Sequence, residues 1–273
     1  MQRVMSLWRR VCILILVFVL LGEYVNGASL KGSIKQPNFV FILADDCTYN
    51  LLGCYGGKNV KTPHIDSLAR EGMRFTQAYA ATAMCAPFRA ELYTGRYPVR
   101  NGVVWNHGRT KDDTPSVCHY LNELGYRVGI AGKKHIKPKA VYPFVDVNGF
   151  PAGQGVRRFM TQSTDQPFCL FLCSNSPHAP WTRGDASQFD ATHIDLAPKQ
   201  HDNPATREVM TRYLAEVGDL DREVGEILAL LDGSGQAGNT LLMFSSEQGW
   251  PLGFAKWTNW NMGLHTALIV HPI

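Results

Sequence analysis

The chain has 273 residues, of which 45% are hydrophobic and 18% are charged, and its formal net charge is +4. This composition is that of a globular protein with enough apolar residues for one large core, and it excludes a low-complexity or repeat protein. The small net charge, with no basic stripe carrying interleaved aromatic residues, gives no indication of nucleic-acid binding.

The first 27 residues have the pattern of a secretory signal peptide. Three arginines precede the apolar run at 11–21, and the small residues Gly27 and Ala28 follow it. The run is shorter than the roughly 20 apolar residues of a membrane-spanning helix, and an uncleaved N-terminal anchor is the alternative. We therefore expect an exported protein with no stable membrane span after cleavage, a polar linker at 28–36 and one domain at 37–273.

Seven cysteines are present, and Cys12 would leave with the signal peptide. The other six lack the paired spacing of a zinc site or of a small disulfide scaffold. Export permits a disulfide, but the spacing does not indicate which cysteines would form it. Most of the six are predicted to be buried thiols that behave as small hydrophobic residues.

The apolar run at residues 38–44 predicts a fully buried strand of a parallel sheet. It ends at Asp45 and Asp46, two carboxylates with no cation adjacent in sequence. A helix cap or an Asx turn would explain a single aspartate. Two aspartates at the end of a buried strand favour metal ligation instead.

The segment from Cys85 to Gly95 is predicted to be the centre of the site. Pro87 and Gly95 are start and stop signals of a helix, so Cys85 should lie at or just before its N-terminus, where backbone N–H groups favour an anion. Arg89 adds a positive charge one turn further on. The pattern indicates a nucleophile, in its simplest form a thiolate whose pKa is lowered by the helix end and Arg89. A structural cysteine is the alternative.

Strands alternate with helices along the whole domain. This alternation predicts an α/β fold with a doubly wound, mostly parallel sheet flanked by helices. Residues 136–166 carry prolines and glycines and are predicted to form a loop. Besides 38–44, the predicted strands are 73–79, 126–131, 168–173, 241–244 and 267–270, and the predicted helices are 62–70, 87–94, 116–124 and 204–232.

Polar residues follow four of the predicted strands at the point where each strand ends. In a doubly wound sheet the ligand site lies beyond the carboxyl ends of the strands, so these residues should meet in one crevice. A lone histidine is more often structural than catalytic, but each histidine here follows a buried strand into that crevice. The residues are Asp45, Asp46, Lys133, His135, His178, Glu247 and Gln248.

Several segments resemble motifs of the type I sulfatases of the alkaline phosphatase superfamily. The sequence CAPFR at 85–89, with YTGR at 93–96, resembles the nucleophile motif, which is highly specific. The segment at 39–56 resembles the opening metal motif, 62–69 resembles the helix after it, and GKKH at 132–135 stands where the family has Gly-Lys-x-His. The sequences GKKHIKP, SEQG and FAKWT look closest to the heparan N-sulfatase-like branch. The resemblance spans about residues 37–272.

In that family the motif cysteine is oxidised after translation to formylglycine, whose hydrate is the nucleophile. The resemblance implies that a formylglycine-generating maturation enzyme modifies Cys85. It also implies one bound divalent cation, Ca²⁺ before Mg²⁺, since all its ligands would be oxygen atoms. The family's usual last pair of ligands is Asp-Asn, so the Glu-Gln pair here keeps the charge but lengthens each side chain by one methylene. The implied ligands are Asp45, Asp46, Glu247 and Gln248.

The resemblance further implies roles for the basic residues. Lys133 and Lys256 would hold the sulfate oxygens and neutralise charge in the transition state. His135 would hydrogen-bond residue 85 and act as the base that expels sulfate, and His178 would protonate the leaving group. Arg89 would lie beside the nucleophile.

The preferred hypothesis is an exported, calcium-dependent sulfohydrolase that acts on a sulfated saccharide, with O- and N-sulfate both open. One alternative is a phosphomonoester or phosphonate-ester hydrolase of the same superfamily, and another is an inactive protein that keeps the anion pocket. Family members continue into a smaller C-terminal region, so the chain is expected to be incomplete there. An unpaired apolar strand at 267–270 would then be an aggregation hazard.

Overall fold

A computed structural model describes residues 35–163, 165–197 and 199–272. The predicted signal peptide at 1–27 and most of the predicted linker lie outside these residues. Within the described ranges, no helix combines the length and the apolar character needed to cross a membrane.

One sheet forms the centre of the described chain. Its strands are β1 (Asn38–Ala44), β2 (Met73–Tyr79), β3 (Arg127–Gly132), β4 (Val145–Asp146), β5 (Phe168–Cys173), β6 (Thr240–Ser246) and β7 (His265–His271). Their order is β2-β7-β6-β1-β5-β3-β4. The pairs among β6, β1, β5, β3 and β4 are parallel, whereas β7 is antiparallel to both β6 and β2. The sheet is therefore mostly parallel with an antiparallel edge, as an α/β fold commonly is.

Helices cover both faces of this sheet. Side chains of β1 alternate between two apolar cores, because successive residues of a strand point to opposite faces. Val40 and Ile42 join the core that contains the apolar face of the longest helix, whereas Phe41 and Leu43 join a core that contains Tyr93. This arrangement confirms the predicted doubly wound fold. The helices are α1 (Pro63–Glu71), α2 (Cys85–Thr94), α3 (Pro98–Asn101), α4 (Val117–Glu123), α5 (Gln154–Thr161), α6 (Pro204–Gly233) and α7 (Asn261–Leu264).

The prediction of a loop at 136–166 is wrong, because this segment contains β4 and α5. The helix buries Val156, Phe159 and Met160. Phe159 packs over Gly129 of β3, where an added Cβ would lie 2.6 Å from the phenyl ring. The helix has only 8 residues, so its short apolar pattern was hidden by the prolines and glycines that flank it.

The apolar strand at the C-terminal side is paired on both sides. β7 forms hydrogen-bonded ladders with β6 and with β2, so the hazard predicted for 267–270 does not arise. The outer strand on this side of the described sheet is instead β2. Its side chains Met73, Phe75 and Tyr79 are exposed.

Candidate active site

Two adjacent carboxylates lie at the end of β1. Asp45 and Asp46 are both fully buried, and Asp46 has a φ of 61°, in the left-handed region. Consecutive side chains of an extended strand point to opposite faces, and the left-handed residue interrupts this alternation. Both carboxylates consequently reach the same neighbour, since the Sγ of Cys85 lies 3.5 Å from Asp45 Oδ1 and 3.9 Å from Asp46 Oδ1.

Cys85 is the first residue of α2, and its side chain is buried. Pro87 is thus the third helical residue, whereas the sequence predicts it to be the first. Proline is tolerated there because the first four N–H groups of a helix have no intrahelical acceptor. The helix ends at Gly95 with a φ of 64°, as the glycine signal predicted.

The prediction that the Cys85 pKa is lowered is wrong. Burial raises the pKa of this thiol, and the nearby carboxylates of Glu247, Asp45 and Asp46 raise it further. The Arg89 guanidinium does not contact the sulfur. It pairs with Glu247 in a fully buried ion pair and donates a hydrogen bond of 2.6 Å to the carbonyl of Lys133. An unmodified thiolate is therefore not the favoured form of residue 85 in this pocket.

The register of the sheet brings Glu247 and Gln248 to the aspartates. Ala44 pairs with Ser246 at the ends of β1 and β6, and the Glu247 N–H donates to the Ala44 carbonyl at 3.2 Å. Gln248 Nε2 lies 2.5 Å from Asp46 Oδ1 and 3.4 Å from the sulfur of Cys85. Both polar side chains are fully buried.

Two lysines neutralise the aspartates. Lys133 forms an ion pair with Asp45, and Lys256 Nζ lies 2.7 Å from Asp46 Oδ2. Burial opposes ionisation of Asp45, but Arg89 and Lys133 outweigh it and hold the pKa of this carboxyl below its usual range. Burial and the adjacent Asp45 raise the pKa of Asp46. The pKa values of these two adjacent carboxyls are thus shifted in opposite directions.

The two predicted histidines lie at different depths. His178 is at the rim, with a side chain 36% exposed and Nε2 3.7 Å from Asp46 Oδ2. His135 is partly buried, and burial, Lys133 and Arg89 together lower its pKa to about 4. Its Nδ1 has no hydrogen-bond partner among the described residues. The hydrogen bond predicted between His135 and residue 85 is not among the contacts that the structure gives to the Cys85 sulfur.

A small cavity of about 150 Å³ lies beside the nucleophile helix, lined among others by Ala86, His107 and His135. The rings of His107 and His135 are 5.7 Å apart. Analysis of the sequence assigns no role to His107, because a histidine in a loop carries no positional signal. Its place in this cavity depends on the fold.

Sequence reasoning also missed two buried acids of α6 that hold the loop after β5. Glu216 Oε1 accepts hydrogen bonds of 2.8 Å from the N–H groups of Thr182 and Arg183, and its Oε2 accepts one from Ser176. Glu223 accepts a hydrogen bond of 2.5 Å from Ser174. A signal was present, because the two acids are seven residues apart and fall within the apolar stripe of the helix.

A cation could bind where the side chains converge. Ligand atoms of Asp45, Asp46, Cys85 and His178 all lie within 4.8 Å of one another. Glu247 is not in this group, since its carboxylate turns to Arg89. Even so, Glu247 Oε2 and the amide oxygen of Gln248 are buried and receive no hydrogen bond from the described part of the chain. Buried acceptors of this kind are costly unless a donor or a cation satisfies them, so the donor set fits a hard divalent ion.

The chain belongs to the sulfatase family, whose model matches residues 37–160 and 152–272. An ulvan-active sulfatase of Formosa agariphila is 34% identical in an alignment of 229 positions that covers 79% of this chain and 45% of that protein. The N-sulphoglucosamine sulphohydrolase of Homo sapiens is 29% identical in an alignment of 258 positions that covers 80% of this chain and 51% of that protein. The chain thus spans about half the length of these two curated relatives.

The fold is shared with solved structures. The crystal structure of Ps i-CgsB matches with a TM-score of 0.67 and 25% identity, covering 86% of this chain and 66% of that chain. A second crystal structure of the same protein contains k-i-k-neocarrahexaose. The likeness confirms the predicted alkaline phosphatase-like α/β class.

Proposed function

We propose that this chain is the catalytic region of an exported sulfatase that hydrolyses a sulfate ester or N-sulfo group of a sulfated saccharide. The observation that carries the proposal is the position of the Cys85 sulfur, 3.5 Å and 3.9 Å from the two aspartates in the first turn of a helix. Family membership and the names of the two curated relatives support the reaction and the substrate class. Export rests on the pattern of residues 1–27 alone.

Four residues would hold the divalent cation, with Ca²⁺ preferred to Mg²⁺ because all the donors are oxygen atoms and three of the residues are carboxylates. When bound, the ion would polarise a sulfate oxygen, and the hydrate of formylglycine at position 85 would supply the attacking hydroxyl. The buried acceptors without hydrogen bonds support this assignment. The residues are Asp45, Asp46, Glu247 and Gln248.

The basic side chains would bind the anion and move protons. Lys133 contacts Asp45 and Lys256 contacts the adjacent Asp46. Both ammonium groups are therefore positioned to hold sulfate oxygens. His178 lies at the exposed rim, where a leaving group departs to solvent, and we assign to it the donation of a proton. We assign acceptance of a proton to His135, which is neutral at pH 7, although its pKa of about 4 makes it a weak base in this pocket.

The test is to make the chain together with a formylglycine-generating enzyme and to measure the mass of the peptide that contains residue 85. Modification replaces the thiol by an aldehyde, which the mass reveals directly. Turnover is then measured with an aryl sulfate, N-sulfoglucosamine and an aryl phosphate. Cys85→Ala should abolish turnover, whereas Cys54→Ser, which changes a half-buried cysteine outside the cluster, should retain it.

Each alternative predicts a different result. Modified protein that turns over the phosphate faster than either sulfate would support the phosphoester hydrolase. Modified protein that binds inorganic sulfate without turnover would support the inactive relative. Protein that stays unmodified at residue 85 in the presence of the maturation enzyme would contradict the proposed mechanism.

A further inference from the structure

The loop that carries Lys256 is attached directly to the entrance of the nucleophile helix. The Trp257 N–H donates a hydrogen bond of 2.9 Å to the carbonyl of Ala83, two residues before Cys85. The Lys256 N–H donates to the carbonyl of Trp250 at 3.0 Å. The Lys256 side chain is only 6% exposed and points inward to Asp46. Its neighbours in sequence therefore lie at the rim of the site.

Two bulky aromatic residues bracket Lys256 in an unusual backbone conformation. Phe254 has a φ of 69° and Trp257 a φ of 70°, both in the left-handed region that bulky side chains rarely adopt. Trp257 is 62% exposed and Phe254 is 47% exposed. Strained residues concentrate at ligand-binding sites, where the surrounding structure maintains them. Burial of these rings in a core does not explain the strain.

A cation lies against the same aromatic surface. Lys199 Nζ is 4.7 Å from the ring centroid of Trp260 and 5.4 Å from that of Phe254, and these two rings are 6.1 Å apart. Within the described ranges, no carboxylate forms an ion pair with Lys199. A cavity of about 390 Å³ opens beside Lys199 and Phe254, and Gln200 and His201 also line it. We call Lys199, Phe254, Trp257 and Trp260 the aromatic rim.

We propose that the aromatic rim binds the sugar ring adjacent to the one that carries the scissile sulfate; this rests on the proposed function. A pyranose ring has an apolar C–H face and a polar edge, and exposed aromatic faces next to amide, imidazole and ammonium groups are complementary to both. Lys199 binds a sulfate or carboxylate group on that sugar. The occupant is thus a saccharide of at least two rings with more than one anionic group.

The charge and the location favour this occupant over a protein. The rim contains a lysine and no acidic residue, and its members Phe254 and Trp257 lie within two residues of Lys256, which points into the site. A second protein molecule seated on the rim would compete with saccharide for the entrance to the site.

The test compares Trp257→Ala, Trp260→Ala and Lys199→Met with Tyr120→Ala, which changes an exposed aromatic residue of α4. Binding of a heparin tetrasaccharide and of inorganic sulfate is measured by calorimetry. Each tryptophan variant should weaken tetrasaccharide binding roughly three- to tenfold more than sulfate binding. Lys199→Met should reduce the salt dependence of tetrasaccharide binding. Tyr120→Ala should behave as wild type.

Three results would overturn the inference. Wild-type tetrasaccharide affinity in both tryptophan variants would show that the rim does not contact the sugar. Equal losses for tetrasaccharide and inorganic sulfate would show that the aromatic residues merely support the Lys256 loop. A change in oligomeric state with unchanged saccharide binding would identify a protein interface. Rim-dependent tetrasaccharide binding in a wild-type protein that turns over no sulfate would contradict the proposed reaction but not the inference.

Discussion

Arg89 and Glu247 form an ion pair near Cys85, and both side chains are fully excluded from solvent. The sequence indicated only that glutamate and glutamine replace a shorter pair at the last two ligand positions. The Glu247 carboxylate pairs with the Arg89 guanidinium and is not among the grouped ligand atoms of Asp45, Asp46, Cys85 and His178. A buried ion pair is stable only while both partners are present.

We expect Arg89→Met to lower the free energy of unfolding by about 3–5 kcal/mol, because it leaves the Glu247 carboxylate buried without its cation. The double variant Arg89→Met with Glu247→Leu should recover part of this loss. Urea unfolding followed by circular dichroism measures both changes. A loss below about 1 kcal/mol in the single variant would mean that the pair is solvated in the folded protein.

Asp45→Asn should weaken Ca²⁺ binding at least about tenfold, since Ca²⁺ affinity depends on the number of charged ligands. The low pKa of Asp45 means that the wild-type carboxyl is ionised at neutral pH. Calorimetric titration with Ca²⁺ measures the affinity without any need for turnover. Asp146→Asn, which changes an exposed aspartate paired with Lys134, is the matched control. Equal affinities in the two variants would remove Asp45 from the ligand set.

At the scale of the elements, α6 does more than cover the sheet. Its buried acids Glu216 and Glu223 hold the loop after β5 from below, and that loop carries His178 to the rim. The helix therefore fixes the position of a proposed proton donor through hydrogen bonds that its acids accept from two serines and from two backbone N–H groups.

Glu223 should make stability depend on pH. Burial raises the pKa of its carboxyl to about 7, above the ordinary value of 4.5. Between these values the folded protein binds the proton more tightly, so the contribution of Glu223 is full below pH 4.5 and is lost as the pH rises through 7. Glu223→Gln should therefore reduce the fall in melting temperature between pH 5 and about pH 8.

The matched control is Glu226→Gln, which changes an exposed acid on the same helix that pairs with Arg222. This variant should keep the wild-type pH dependence. If Glu223→Gln also keeps it, the carboxyl at position 223 is ionised throughout the range and the raised pKa is contradicted.

At the scale of the whole molecule, the sequence predicted the elements better than their arrangement. β1, β2 and β5 have the predicted bounds, because contiguous apolar runs between turn residues define a buried strand. The convergence of four strand exits also followed from the class of fold. The order of the strands, the left-handed Asp46 and the Arg89–Glu247 pair could not be predicted, because each depends on contacts between residues far apart in sequence.

The exposed outer strand β2 should promote association between molecules. It pairs with β7 on one side, and Met73, Phe75 and Tyr79 are exposed. Unpaired strand edges bind other strands, and a charged side chain blocks this contact. Phe75→Lys should reduce self-association in sedimentation velocity measurements, whereas Val99→Lys, at an exposed position outside the sheet, should not. Equal association in both variants would locate the contact elsewhere.

The burial of Cys85 also has a consequence for timing in the cell. Most of α2 is enclosed in the folded protein, so the proposed maturation enzyme would have to reach Cys85 before the chain closes around it. Gln248, which contacts the sulfur, lies 163 residues further along the chain. At 5–20 residues per second, ribosomes need roughly 8–30 s to synthesise that stretch. Slow synthesis would therefore leave time for the proposed modification before folding is complete, and faster folding would lower the yield of modified protein.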